Sequence, residues 1–311
     1  MLMHDADTPS FAGHESFTLR YGWLKKAIDA VSEDPHLFAR DDALITLGVG
    51  KNMVRSIRHW ALATGVLEES ATDSSRVKGL VPSELGRLLM GGRGKDPYLE
   101  DVGSLWALHW MLASKPATSP TTWLWAFNFF PDLEFTKAKF ITGLRKFTEQ
   151  HGWKQVAESS LSRDVDCFIR TYVSGTAIDT IPEESLDCPF TELGLLQEYS
   201  DEGKFYSFAR GEHPSLSPAM FTFALLQFWT TSYSSQPTMT FEHVAYRQGS
   251  PGRVFKLSEN VITNYLEAIE RITDKAITYD VTAGLRQLYK RATVRPLDML
   301  AHHYVTKGVK G

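Results

Sequence analysis

Two short segments of the chain carry the residue types needed for phosphodiester chemistry. In the first, at residues 11–26, His14, Glu15 and Arg20 precede a run of apolar residues with helical spacing. His14 and Glu15 could serve as a general base and a metal ligand, and Arg20 could stabilise the charge that develops on a phosphate. The plainer interpretation is an ordinary helix start, with Glu15 near the positive end of the helix dipole.

The second segment, SLSRDVDCFIRTYV at 160–173, has apolar residues with helical spacing. Arg163, Asp166 and Arg170 share its polar face, where a carboxylate between two guanidiniums could position a phosphodiester. The same side chains could instead form the ion pairs of a solvated helix. Asp164 is a further candidate base or ligand, but it diverges from Asp166, so the two are not a natural metal pair. If DNA is cut, we expect Mg²⁺ or Mn²⁺ as the cofactor, held by ligands that the sequence does not identify.

A third segment, 51–64, has the pattern of a DNA-reading helix. Its apolar side chains fall on one side, and its cationic side chains fall within about 60° on the other. Arginine can read guanine, asparagine can read adenine, and serine and lysine can bind phosphate. The alternative is the solvated basic face of any helix. The cationic face and the polar positions beside it comprise Lys51, Asn52, Arg55, Ser56, Arg58 and His59.

The residues around this helix complete a winged helix-turn-helix pattern. Gly48 allows a sharp turn ahead of the helix. Behind the helix, one predicted strand starts at 66 and another covers 76–81, and the polar turn between them would make a wing. Arg76 and Lys78 on this wing would contact phosphates or the minor groove.

A second basic region lies near the C-terminus. A Gly-Ser-Pro-Gly loop there is followed by a helical pattern and by a hairpin predicted around 282–284, which suggests a second winged-helix-like unit. The loop could present backbone N–H groups to a phosphate, or Arg253 could anchor carbonyl groups of its own surroundings. The candidate phosphate contacts of this region are Arg253, Lys256, Arg286, Lys290 and Arg291.

These elements predict a mainly α fold with winged helix-turn-helix units, short β-hairpin wings and an aromatic-rich helical middle region. Helices are predicted over 19–31 and 41–47, ahead of the DNA-reading helix. We divide the chain into an N-terminal winged-helix DNA-binding domain at 1–95, a helical middle domain at 96–235 and a C-terminal winged-helix-like domain at 236–311. The helical spacing of the middle aromatics favours a core over a base-stacking platform.

Composition restricts the possible functions. The 311 residues carry 33 Lys and Arg against 37 Asp and Glu, so any DNA site must be a local patch on an acidic body. The two cysteines form no CxxC pair, which excludes a zinc finger. No apolar run is long enough to span a membrane and the first ten residues are polar and acidic, so we expect a cytoplasmic protein with no membrane partner. Motifs for ATP hydrolysis, dinucleotide redox chemistry and zinc peptidases are missing from the sequence.

Six long blocks, spread over nearly the whole chain, carry a family resemblance. They are FAGHESFTLRYGWLKKAIDAV at 11–31, LGVGKNMVRSIRHWALATGVLE at 47–68, DPYLEDVGSLWALHWMLAS at 96–114, SLSRDVDCFIRTYV at 160–173, SLDCPFTELGLL at 185–196 and SPGRVFKL at 250–257. The sequence resembles the DUF4007 family, bacterial proteins linked to DNA phosphorothioation gene clusters. The resemblance implies a nicking component of a bacterial defence system based on single-strand phosphorothioation. Its partners would be a cysteine desulfurase, an ATP pyrophosphatase and an ATPase.

Two functions therefore stay open at this point. The first is a metal-dependent DNA nickase that uses His14, Glu15, Asp164 or Asp166 as base or ligands. The second is a non-catalytic subunit or transcription regulator that reads duplex DNA and recruits the sulfur-transfer partners. A homodimer reading a symmetric site is a further expectation. A purely structural adaptor would leave the cationic face of the predicted DNA-reading helix unexplained.

Overall fold

The computed structural model describes residues 9–115, 119–174, 188–200 and 203–308. Roughly half of the chain is helical, and the described part contains three small antiparallel sheets. The fold is therefore mixed α/β with helices dominant, close to the predicted mainly α fold with β-hairpins. In the described part, no helix is long and apolar enough to cross a bilayer.

The N-terminal region begins with three helices and a hairpin. The helices are α1 (Trp23–Glu33), α2 (Ala43–Leu47) and α3 (Lys51–Ala63), and the strands are β1 (Leu67–Glu69) and β2 (Leu80–Pro82). All three predicted helices are confirmed. Gly22 has a left-handed φ of 79° and delays the start of α1. Gly48 with φ 62° ends α2 at the predicted residue.

The returning strand of the hairpin is shorter than the predicted 76–81. The carboxylate of Asp73 accepts hydrogen bonds from the backbone N–H groups of Ser75 (2.8 Å) and Gly79 (2.6 Å). These bonds close residues 73–79 into a loop, so β2 pairs with β1 only from Leu80 onward.

The middle of the chain consists of helices around one three-stranded sheet, in which β5 lies between β3 and β4. These elements are α4 (Glu84–Met90), α5 (Val102–Ser114), α6 (Thr121–Asn128), β3 (Glu134–Phe135), α7 (Lys137–Gln150), α8 (Glu158–Tyr172), β4 (Leu196–Ser200), β5 (Lys204–Phe208) and α9 (Pro218–Ser232). Residues 175–187 lie outside the described part.

The C-terminal region pairs short helices with a second three-stranded sheet, in which β8 lies between β6 and β7. The elements are β6 (Thr238–Thr240), α10 (Phe241–Tyr246), α11 (Pro251–Val254), α12 (Glu259–Glu267), α13 (Ile269–Ile272), β7 (Ile277–Thr282), β8 (Leu285–Lys290) and α14 (Pro296–Gly308). The hairpin predicted around 282–284 is present. Ala283 (φ 50°) and Gly284 (φ 83°) form its two-residue turn, as the right-handed twist of paired strands favours.

One continuous hydrophobic core runs through all three sequence regions. Trp60 of α3 packs edge-on against Trp123 of α6 with ring centroids 5.5 Å apart, and Trp123 packs against Phe168 of α8 at 5.7 Å. All three side chains are fully buried. The interpretation of the middle aromatics as core is thus confirmed for Trp123 and its neighbours. Because α3 and α8 share this core, the orientation of α3 is fixed by the middle of the chain.

Candidate nucleic-acid interface

Residues 11–22, which we call the strap, run without regular structure between α3 and α8. Three of its non-glycine residues have left-handed backbone conformations: Ala12 (φ 58°), Glu15 (φ 49°) and Ser16 (φ 66°). Such conformations cost of order 1–3 kcal/mol each and persist only where surrounding contacts impose them. The strap therefore needs strong anchors on both helices.

The main anchor is the carboxylate of Asp164 on α8, which is only 1% exposed. It accepts three hydrogen bonds: from the Ala12 backbone N–H at 2.6 Å, from His14 Nε2 at 2.8 Å and from the Thr122 hydroxyl at 2.5 Å. His14 is equally buried, and its Nδ1 accepts a hydrogen bond from the Ser16 N–H at 3.0 Å. The pair is thus enclosed and fully hydrogen-bonded, and it ties the strap to α6 and α8.

The outer edge of the strap lies between two arginines. Arg55 Nη1 of α3 lies 3.2 Å from Glu15 Oε1, and Arg170 Nη2 of α8 donates to the Ser16 carbonyl at 2.7 Å. The guanidinium of Arg20 lies 5.5 Å from the centroid of the Trp23 ring. The structure therefore brings Glu15 of the strap close to Arg55 of α3, and Ser16 of the strap close to Arg170 of α8. These contacts help to anchor the strap.

Asp166 lies apart from this cluster. Its carboxylate is 2.6 Å from Lys137 Nζ at the surface, while Asp164 is buried. The two aspartates face different surroundings, as their spacing on the helix predicts. Arg163 is exposed on the same helix, and its Nε donates to the Ser159 carbonyl at 3.3 Å.

The surface of α3 divides largely as its periodicity predicts. Val54, Ile57 and Trp60 are buried, and the helix contains no acidic residue. Four side chains of the predicted DNA-reading face are exposed, namely Lys51, Asn52, Arg55 and Arg58. This cationic surface is the largest group of predicted DNA contacts that the fold leaves open to solvent.

Two residues assigned to that face are withdrawn from it. Ser56 is fully buried. The α3 helix packs on α1 and on the strap as well as on the core, so some of its polar positions are buried together with its apolar ones. His59 is mostly buried, and its ring lies so close to Gly13 that a Cβ there would come within 2.4 Å of Nδ1. Burial lowers the pKa of His59 to about 4, so its imidazole is neutral at pH 7 and offers no charge to a phosphate.

Arg253 and Lys256 occupy the C-terminal end of α6. Arg253 Nη1 donates to the Asn128 carbonyl, and Lys256 Nζ donates to the Ala126 carbonyl at 3.1 Å. Lys256 also lies over the Phe208 ring at 4.4 Å, and burial lowers its pKa to about 7. These cations satisfy the free carbonyl groups of a helix terminus. The assignment of Lys256 to a DNA phosphate is replaced by this internal role, because its ammonium is buried. Two donors of Arg253 are likewise engaged within the chain, at the Tyr246 and Asn128 carbonyls.

The basic residues of the C-terminal hairpin also make contacts within the chain. The Arg286 guanidinium stacks on Phe241 at 3.4 Å from the ring centroid and pairs with Glu259 at 3.3 Å. Lys290 Nζ lies 4.8 Å from the centroid of the buried Trp229 ring. Arg291 is exposed, but its Nε donates to the Thr278 hydroxyl at 3.3 Å and its guanidinium lies 4.8 Å from the centroid of the Tyr289 ring. The hairpin is therefore a weaker phosphate-binding surface than its sequence suggests.

The wing residues stay open. Arg76 and Lys78 are both exposed on the 70–79 loop, and Lys78 makes only a long surface contact of 3.8 Å with Glu69. Such exposed pairs contribute little and are easily replaced by a phosphate.

Within the described ranges, no three side chains of His, Cys, Asp and Glu come close enough to hold a metal ion. A cage built only from protein ligands is therefore not formed there. Mg²⁺ commonly binds one or two carboxylates together with substrate phosphates. Glu15 and Asp166 are partly exposed carboxylates, paired in this structure with Arg55 and Lys137.

Two contributors to the site had no sequence signal. Thr122 binds Asp164 across 42 residues of sequence, and Lys115 ends α5 beside α3. Neither residue belongs to a sequence motif, and each reaches the site only because its helix packs against the others.

Replacing Asp164 should destabilise the fold. Asp164→Ala leaves three donors without their acceptor, at about 1–3 kcal/mol for each buried group, so we expect a loss of at least about 3 kcal/mol in urea unfolding. Asp166→Ala is the matched control and should change stability by less than about 1 kcal/mol, because its ion pair is exposed. If Asp164→Ala is as stable as the parent protein, Asp164 is not the anchor of the strap.

His59 should make stability depend on pH. Its folded pKa of about 4 lies below the ordinary 6.5, so its contribution is complete above pH 6.5 and falls as pH drops toward 4. Between pH 7.5 and 5 this loss amounts to about 2 kcal/mol. His59→Phe should reduce the pH-dependent loss by that amount, whereas His302→Phe at an exposed site should not. An unchanged pH dependence in His59→Phe would contradict the buried, neutral imidazole.

The comparisons with known proteins agree with this architecture. Two crystal structures of SspB, one of them magnesium-bound, superpose with a TM-score of 0.85 each. They share 32% and 33% sequence identity with the chain, and each alignment covers 96% of this chain and 89% of the SspB chain. No curated protein matched.

The profile of a family described as a protein of unknown function, DUF4007, matches residues 11–304. This match spans far more than half of the chain and includes the strap, α3, α8 and most of α14. The chain belongs to the DUF4007 family.

Proposed function

We propose that this protein is the DNA-binding component of a DNA phosphorothioation system. The observation that carries the proposal is the exposed row Lys51, Asn52, Arg55 and Arg58 on a helix without an acidic residue. Membership of the DUF4007 family and the likeness to SspB support the phosphorothioation context, through the resemblance described above.

In this proposal α2, α3 and the β1–β2 hairpin act as a winged helix-turn-helix. The α3 helix enters the major groove, where Arg55 and Arg58 reach base edges and Lys51 binds phosphate. Arg76 and Lys78 of the 70–79 loop contact the neighbouring backbone or the minor groove. Because α3 is held by the shared core, its backbone needs no rearrangement on binding.

Because the protein as a whole is acidic, DNA binding would depend on the cationic surface of α3 rather than on the net charge. The net charge is −4, so long-range attraction to DNA is weak and binding depends on the patch itself. Glu15 forms an ion pair with Arg55 in the free protein. A DNA phosphate would compete with this carboxylate for the guanidinium. The proposed partners are duplex DNA, a cysteine desulfurase, an ATP pyrophosphatase, an ATPase and, at a symmetric DNA site, a second copy of the chain.

Removing the two arginines of α3 should abolish duplex binding without unfolding the protein. For Arg55→Ala with Arg58→Ala we expect the gel-shift midpoint to rise at least about tenfold at fixed salt, because two charged contacts are lost. Arg247→Ala with Arg271→Ala removes two exposed arginines elsewhere and should leave the midpoint nearly unchanged. Equal retention by the α3 double variant and the parent protein would refute the docking surface.

A second proposed activity is nicking of one DNA strand. The strained turn at Ala12, Glu15 and Ser16 favours it, because backbone strain concentrates at functional sites, as does the likeness to a magnesium-bound SspB structure. Mg²⁺ or Mn²⁺ would be held by Glu15 or Asp166 with DNA phosphates, and when bound it would stabilise charge on the phosphate under attack. Arg170 and Arg163 would clamp that phosphate. The alternative is a non-catalytic DNA-reading subunit that leaves cutting to a partner.

Supercoiled plasmid distinguishes the two. If the protein nicks DNA, Mg²⁺ should convert plasmid to open circles, a chelator should stop this, and Glu15→Gln should slow it at least about tenfold. Glu134→Gln changes an exposed carboxylate elsewhere and should have no effect. If the plasmid stays supercoiled while gel shifts show binding, the nicking proposal fails and the non-catalytic alternative holds.

A further inference from the structure

A groove of about 970 Å³ lies beside α3, bounded by β1, α4 and the end of α5. Its volume lies within the range of about 300–1,000 Å³ typical of small-molecule sites. Arg55 and Arg58 of the proposed DNA-binding face line one part of it, and the side chains of Leu62 and Met111 line another. Duplex docking uses the two arginines but not the apolar part of the groove.

We propose that the groove binds one unpaired nucleotide of a DNA strand, with its phosphate at Arg55 and Arg58 and its base over Leu62 and Met111. The inference rests on the proposed DNA-binding function of α3. It adds that part of the bound DNA is read as a single strand, outside the base stack.

The distances along α3 suit one nucleotide. Arg55 and Leu62 are seven residues apart, which is about 10 Å at 1.5 Å per residue. This span is close to the distance from a nucleotide phosphate to the far edge of its base. Arg55 and Arg58 lie one turn apart on the same side of the helix, so two guanidiniums can meet the same phosphate.

The apolar part of the groove, lined by Leu62 and Met111, depends on the packing of α5 against the end of α3. Gly65 follows α3 with a left-handed φ of 68°, and a Cβ there would lie 2.5 Å from the terminal methyl of Met111. Glycine adopts this backbone conformation without strain, and its missing side chain leaves room for the Met111 methyl. Met111 is 7% exposed, and its polarisable thioether can contact the base.

The charges of the groove select a single nucleotide over a duplex. Glu68, Glu69 and Glu84 also line it. A second phosphate backbone would meet these carboxylates and be repelled, whereas a neutral base would not. Glu68 can accept a hydrogen bond from an exocyclic amino group, and Lys115 at the same end can donate one to a ring nitrogen or carbonyl. Cytosine offers both groups, but thymine lacks the amino group.

The test compares labelled single-stranded hexamers of deoxycytidine and thymidine with a labelled duplex of about twenty base pairs, by fluorescence anisotropy. We expect the deoxycytidine hexamer to bind several-fold more tightly than the thymidine hexamer. Met111→Trp fills the groove and should weaken hexamer binding at least about tenfold while duplex binding stays within about twofold. Leu285→Trp adds the same indole at an exposed position of β8 and should leave hexamer and duplex binding nearly unchanged.

Glu68→Gln provides a second readout that does not depend on packing, since glutamine can both accept and donate. It should reduce the preference for deoxycytidine over thymidine without loss of folding. If the parent protein binds duplex but neither hexamer, or if both variants behave like the parent, the groove proposal is wrong and duplex docking stands. If no DNA binds at all, the proposed function fails and this inference fails with it.

Discussion

The buried carboxylate of Asp164 is the contact on which the arrangement of the proposed interface depends. Its three hydrogen bonds join the strap to α6 and α8, and the Trp60 indole of α3 donates to the strap at the Phe17 carbonyl at 3.0 Å. The left-handed backbone conformations at Glu15 and Ser16 persist because these contacts hold the strap in place. With the strap fixed, one side of α3 is closed and the other is left to solvent.

The basic residues of this acidic protein fall into two groups, those that make contacts within the fold and those that remain exposed. Arg253, Lys256 and Arg286 serve the fold, as caps of α6 or as stacked ion pairs, and their desolvation is offset by carbonyl groups, rings or carboxylates. Lys51 and Arg58 have no such partner among the described side chains and remain exposed. A local cationic surface of this kind is what DNA binding requires when the net charge gives no long-range attraction.

The sequence predicted the parts of this arrangement that depend on local patterns. The α3 helix, the turn at Gly48, the hairpin at Ala283 and Gly284 and the amphipathic α8 follow from periodicity and from glycine placement. Burial of Ser56 and the contact of His59 with Gly13 did not follow, because they depend on a strap without periodicity. The cap formed by Lys256 was missed for the same reason, since its partners lie about 130 residues away. Domain boundaries at 95 and 235 stay predictions.

The most direct test of the account is where DNA lies on the protein. A photocrosslinking amino acid at Asn52, on the exposed face of α3, should form a covalent adduct with duplex DNA under ultraviolet light. The same amino acid at Tyr199 on β4, also exposed, should not. Crosslinking at Asn52 alone would place the duplex on α3. Crosslinking at Tyr199 with none at Asn52 would contradict the account, because the DNA would then lie on the middle sheet.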